Sequence, residues 1–186
     1  MSDDEKKARI SSRRIHTGKV INLDVDEVRF PDGTSGELEI IRHPGASAVV
    51  PFLSDPAGVD PQVLLLKQYR YATNGYLREI PAGRLEPGEL PEVCARRELL
   101  EETGCTAETM TQLTSMWTTP GFTDERIHLF LASGLTRGET KREADEFIEL
   151  ETVSLSAALL MIERGEIQDA KTALGLLFAA GFRASL

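Results

Sequence analysis

The segment that most restricts this chain is Glu98-Leu99-Leu100-Glu101-Glu102-Thr103-Gly104, at the end of a stretch with helical character. Residues three and four apart share a helix face, so Glu98, Glu101 and Glu102 point the same way and repel by about 0.2–0.5 kcal/mol per pair. Gly104 is a natural helix stop, which sets these carboxylates in the last turn, against the negative end of the helix dipole. The positions three and four onward hold Glu101, Glu102, Gly104, Cys105 and Thr106, none of them basic. Something must compensate. From the helix alone two explanations stand open: a solvated acidic face, or a hard divalent cation such as Mg²⁺, Mn²⁺ or Ca²⁺ held by carboxylate oxygens.

Composition narrows the setting. The 186 residues carry 21 Lys plus Arg against 30 Asp plus Glu, a net charge of −9. That length suits one ordinary domain, or one with a small appendage. The charge lacks the basic footprint of a nucleic-acid binder, so a polyanion would need a local basic cluster or a metal. No apolar run approaches the roughly 20 residues of a membrane span, and MSDDEKKARISSRR does not read as a secretory leader. A cytoplasmic protein with no membrane and no nucleic-acid partner is expected. Cys94 and Cys105 form no CxxC pair, and His16, His43 and His128 are scattered, so neither disulfides nor zinc are indicated.

The first dozen residues are polar and expected to fray. A hairpin is expected from Val20–Phe30 and Leu38–Ile41 around Asp32-Gly33. Further strands are expected over 46–53, 63–70, 76–80, 127–132 and 147–153, and the continuous apolar run Val63–Leu66 implies a strand buried on both faces. Helices are expected over 90–103, 154–164 with a Ser cap, and 169–182 with an Asp cap. The order implies an α/β (α+β) fold, a mixed β-sheet core between helices.

Upstream of the acidic helix, Gly83 is followed after five residues by Glu89 and after seven more by Arg97-Glu98-Leu99-Leu100-Glu101-Glu102-Thr103-Gly104-Cys105. This resembles the Nudix box, G-x5-E-x7-R-E-U-x-E-E-x-G-U with U apolar, and only Cys105 fits its place loosely. Flanking segments are similar to the ADP-ribose pyrophosphatase branch: Arg42-His43-Pro44-Gly45-Ala46, Gln68-Tyr69-Arg70, Glu79-Ile80-Pro81-Ala82-Gly83, Pro120 placed 15 residues after Cys105, and Gly165-Glu166-Ile167-Gln168-Asp169-Ala170.

The resemblance implies a Nudix fold over residues 44–186, with an antiparallel β extension over 1–43 used in homodimerisation. It implies Mg²⁺-dependent hydrolysis of ADP-ribose to AMP and ribose 5-phosphate, Mn²⁺ being an alternative cofactor. GDP-mannose or ADP-glucose are alternative substrates, and a non-cutting nucleotide sensor is a further alternative. Carried over by residue, Glu98 and Glu102 are metal ligands with the Ala82 carbonyl, and Glu101 holds metal or its bridging water. Arg97, grouped with the catalytic residues, orients the carboxylates. Arg70 contacts the diphosphate, and Gly121, Phe122 and Glu125 contact substrate. Glu146 is the loop acid, a metal ligand or general base, with Glu143 as alternative because Ala144 replaces an acid found in some relatives. Val20 and Leu38 stand where some relatives stack the base between aromatics.

Overall fold

A computed structural model describes residues 8–139 and 147–183. Two compact units are present, one formed by residues up to 45 with 116–126, the other by 46–115 with 127 onward.

The first unit is built on strands β1 (Arg9–Thr17), β2 (Asn22–Arg29) and β3 (Ser35–Arg42), antiparallel in the order β1-β2-β3. In the β2-β3 turn Asp32 Oδ1 accepts the Thr34 N–H at 3.0 Å, the local bond that makes Asp a turn residue. Of the first dozen residues, expected to fray, 1–7 lie outside the described residues, and for 9–12 the structure corrects the expectation, because β1 begins at Arg9. Every residue of β1 is exposed, so no apolar alternation marks it. It is held instead by the ladder to β2 and by polar cross-strand pairs: Arg14 with Asp24, and Ser12 Oγ donating to Asp26 Oδ1 at 2.6 Å. Asp24 and Asp26 are buried and also receive the Arg42 guanidinium.

The second unit contains β4 (Ala46–Pro51), β5 (Gln62–Arg70), β6 (Gly75–Glu79), β7 (Ala82–Arg84), α1 (Pro91–Thr103), most of β8 (Cys105–Trp117) and β9 (Arg126–Arg137), β10 (Ile148–Ser154), α2 (Leu155–Glu163) and α3 (Ala170–Arg183). One sheet has the order β10-β5-β6, and the other β7-β4-β9-β8. The second is mixed: β4 runs parallel to β9 and antiparallel to β7. Val63–Leu66 are all buried, as a strand covered on both faces requires. The core joins Val49, Leu64, Ala95, Leu99, Cys105, Phe130 and Ala132, which seats α1 through Ala95 and Leu99.

Helix ends follow local chemistry. Pro91 opens α1, where the missing N–H is harmless. Gly104 closes it at φ 72°, with its N–H on the Leu100 carbonyl at 2.8 Å. Ser154 Oγ accepts the Ala157 N–H, and Asp169 Oδ2 accepts the Thr172 N–H, capping α2 and α3.

Candidate active site

The second unit gathers the box residues where α1 faces β7. Gly83 of β7 lies so close to α1 that a Cβ there would sit 1.8 Å from Glu98 Oε1, so only glycine leaves room for that carboxylate. Arg97 is the hub. Its Nε and Nη2 fork onto Glu89 at 2.9 and 3.0 Å, while Nη1 reaches Glu98 Oε1 at 2.6 Å and Glu101 Oε2 at 3.0 Å. The Glu89 hydrogen bond leads the interactions that hold the guanidinium charged above its already high pKa. A second Nη2 contact, to the Arg84 carbonyl at 3.0 Å, ties the hub to β7.

The three box carboxylates therefore do not form one uncompensated patch, and this corrects the sequence reading. Glu98 and Glu101 turn to Arg97, whereas Glu102, only 2% exposed, accepts the Ala82 N–H on Oε2 at 3.0 Å. The compensating cation stands behind Glu98 and Glu101, at position 97, rather than three or four residues onward. Among the described residues no three acidic, His or Cys groups form a ready metal-binding set.

The donor chemistry nonetheless fits a hard divalent ion. Three carboxylates, Glu89, Glu98 and Glu101, meet one guanidinium, an excess of two negative charges, and Glu102 on the same helix as the last two adds a further carboxylate, so all four offer oxygen. The nearby thiol is unsuited to bind: burial pushes Cys94 up to about 11, and its Sγ donates to the Gly83 and Arg84 carbonyls.

Arg70, at the end of β5, lies within electrostatic reach of Glu102. Its Nε and Nη2 grip Glu79 Oε1 and Oε2 at 2.7 and 2.8 Å, a bidentate fork. Glu79 is buried and also receives Lys171 Nζ, which meets Asp169 Oδ1 at 3.0 Å. Sequence reasoning does not single out Glu79, Lys171 or Asp169 as functional. The available signal was a charged residue, Glu79, inside an otherwise strand-like run, but its partner Lys171 is 92 positions away.

Burial alone would raise the Glu79 carboxyl, yet Arg70 and Lys171 outweigh it and hold it below the ordinary carboxylate value. A depressed folded-state pKa contributes stability that is present above the unfolded value, about 4.3, and lost as pH falls through the folded one. Thermal unfolding should therefore be flat from pH 8 to about 5 and fall steeply below about 4. Glu79→Gln should melt lower at pH 7 and lose less on acidification. A parallel acid dependence in the two proteins would show that this pair contributes nothing to it.

Gly121, Phe122 and Glu125 belong to the first unit. The Phe122 carbonyl accepts the Ile41 N–H at 2.8 Å while its ring is half exposed. Glu125 accepts Thr118 Oγ1 at 2.8 Å and lies 3.6 Å from His43 Nδ1. Asp124, between them, takes the His43 N–H at 2.7 Å and Arg42 Nη1 at 3.1 Å, which pins this loop to the strand end. Val20 and Leu38 are both exposed. Glu143, Ala144 and Glu146 lie outside the described residues.

A family model described as NUDIX domain matches residues 43–174. An ADP-ribose pyrophosphatase of Bacillus subtilis (strain 168) is 44% identical over 171 residues, covering 91% of this chain and 90% of the relative. A methanol dehydrogenase activator of Bacillus methanolicus is 41% identical over 171 residues, with coverage of 91% and 90%. A solved structure, titled as a crystal structure of ADP compounds hydrolase, superposes with a TM-score of 0.82 at 19% identity, covering 95% of this chain and 94% of the other, a likeness of fold.

Proposed function

The chain belongs to the NUDIX domain family, and from that premise we propose that it hydrolyses the diphosphate of ADP-ribose to AMP and ribose 5-phosphate with Mg²⁺. The observation that carries this reading is the placement of Glu98 and Glu102 on one helix against Ala82-Gly83, with Arg70 in electrostatic reach of Glu102. The ADP-ribose pyrophosphatase relative, alike over nine-tenths of both chains, supports the substrate.

In this reading Glu98, Glu102 and the Ala82 carbonyl hold the cation, joined by Glu101 and Glu146. A bound divalent cation supplies charge neutralisation on phosphate oxygens and a more acidic water. Arg70 receives diphosphate charge with donors not committed to Glu79. Arg97 keeps Glu98 and Glu101 oriented, and Glu146 takes the proton of the attacking water, with Glu143 as the alternative. Gly121, Phe122 and Glu125 contact the ribose end. The water oxygen joins one phosphorus as the bridging P–O bond breaks, which leaves two phosphate monoesters.

The test is kcat/KM for ADP-ribose, ADP-glucose and GDP-mannose at one Mg²⁺ concentration. ADP-ribose should be best, and base discrimination should be shallow, since the residues at Val20 and Leu38 cannot stack and a stacked base contributes about 1–3 kcal/mol. A tenfold preference for GDP-mannose, about 1.4 kcal/mol, would overturn the substrate assignment. A second reading, activation of a methanol dehydrogenase, is favoured by the relative of that name at similar identity. It predicts stimulation of such a dehydrogenase by the purified protein.

The proposal includes a homodimer formed through the extension at residues 1–43. Ile10, Ile15, Val20, Ile21 and Leu38 of the first unit are exposed apolar side chains that a second copy would cover. Sedimentation at micromolar concentration should give a dimer, and deletion of residues 1–42 should give a monomer with weakened substrate binding. A fully active wild-type monomer would dispose of this arrangement. The cytoplasm is the proposed location, in keeping with two cysteines that are both buried and unpaired. A small nucleotide sugar is the partner, without nucleic acid or membrane. Among the described residues no helix is long and apolar enough to cross one.

A further inference from the structure

The strip Glu79–Ala82 is secured at every residue. The Glu79 side chain meets Arg70 and Lys171, the Ile80 N–H donates to Thr172 Oγ1 at 2.9 Å, the Pro81 carbonyl accepts the Val49 N–H at 2.9 Å, and the Ala82 N–H reaches Glu102. Lys171 and Thr172 both come from the first turn of α3, where Asp169 caps the helix and pairs with Lys171. Two anions, Glu79 and Asp169, thus alternate with two cations, Lys171 and Arg70. Arg70 is the member that reaches solvent, with a side chain 42% exposed, against 2% for Glu79, 14% for Lys171 and 17% for Asp169.

We propose that Lys171, acting through Glu79, is a positioning residue for Arg70, fixing its guanidinium as the fork that receives the substrate diphosphate; this rests on the diphosphate-hydrolase reading above. Glu79 Oε2 is shared between Arg70 Nη2 and Lys171 Nζ, so the carboxylate is gripped from two sides. The fork fixes the guanidinium plane and commits Nε and Nη2, leaving the Nη1 edge outside the Glu79 grip. Without Lys171, Glu79 and Asp169 would share Arg70 as their cation. The carboxylate would be freer to turn, and a net negative charge would stand beside a site that must accept an anion.

Two measurements test this on Lys171→Met, which keeps an unbranched side chain one atom shorter and removes its charge. Nitrogen-15 NMR of the Arg70 Nε–H should show exchange with water at least tenfold faster than in the wild type. The KM for ADP-ribose should rise tenfold or more while kcat stays within threefold, a split that a merely structural defect would not produce. Lys171→Arg should bring both values back toward the wild type. If Lys171→Met fails to fold, Lys171→Gln, which loses the charge but can still donate to Glu79, should raise KM about threefold, and an unchanged KM with unchanged Arg70 exchange would overturn the inference. Unchanged Arg70 exchange in a folded Lys171→Met protein, or a fall in kcat with KM unmoved, would overturn the inference. Should the wild type leave ADP-ribose uncut, the functional reading fails, and the exchange measurement still decides whether Lys171 fixes Arg70.

Discussion

Replacing Glu102 with glutamine should lower kcat for ADP-ribose by about a thousandfold or more, equivalent to about 4 kcal/mol of transition-state stabilisation. The side chain is 2% exposed and its Oε2 takes the Ala82 N–H, and glutamine can keep that acceptor while losing the charge. The loss thus falls on the carboxylate as a hard ligand rather than on the packing around it. Two small effects on stability oppose each other. Repulsion from Glu98 is relieved, while attraction to Arg70 is lost. The melting temperature should move by no more than about 3 °C, on the scale where 1 kcal/mol corresponds to about 2–4 °C for a domain of this size. Steady-state kinetics at saturating Mg²⁺, beside calorimetry of both proteins, provide the check. Near wild-type turnover would show that Glu102 is no part of the metal site.

Gly83→Ala should act at a distance of one carboxylate. The added Cβ would fall 1.8 Å from Glu98 Oε1 and 2.1 Å from its Cδ, so Glu98 must swing away. A side-chain end can do this without disturbing the fold, but it must leave Arg97 Nη1, now 2.6 Å away. Displacements of about 1 Å in a reactive arrangement can cost a hundredfold in rate. A fall of about that size in kcat/KM is expected, with a rise of about tenfold in the Mg²⁺ concentration for half-maximal activity and a melting temperature within a few degrees of wild type. Normal activity and normal metal dependence would show that the position of Glu98 does not matter to the reaction.

What the sequence made legible divides along local and non-local lines. The helix α1 was readable because its signals are consecutive: Pro91 in the first turn, Leu99 among charged neighbours, Gly104 at the end. Strand β5 was readable because Val63–Leu66 are apolar without a break. Strand β1 was not, since its nine residues are all exposed and its partners Asp24 and Asp26 are polar. Strand β8 also escaped, being an edge strand of half-exposed Thr, Gln, Ser and Met residues that carry no clean alternation.

The site shows the same division. The box spacing brought Glu98, Glu101 and Glu102 to attention. Helix spacing read only onward from each carboxylate does not reach Arg97, which pairs backward from Glu101 and sideways to Glu98 and which the box resemblance alone named as the residue that orients them. Glu79 and Lys171 meet only through the fold, because ion pairs between residues 92 apart leave no periodic trace. The short strand β7 likewise takes its meaning from α1 lying over Gly83.

The central claim is that this carboxylate set serves metal-assisted cleavage of a nucleoside diphosphate sugar. Its most direct test is product analysis after incubation of the purified protein with ADP-ribose, with Mg²⁺ or with excess chelator. Equal amounts of AMP and ribose 5-phosphate should form with Mg²⁺ and neither with the chelator. Intact ADP-ribose in the presence of Mg²⁺, or cleavage that survives the chelator undiminished, would contradict it.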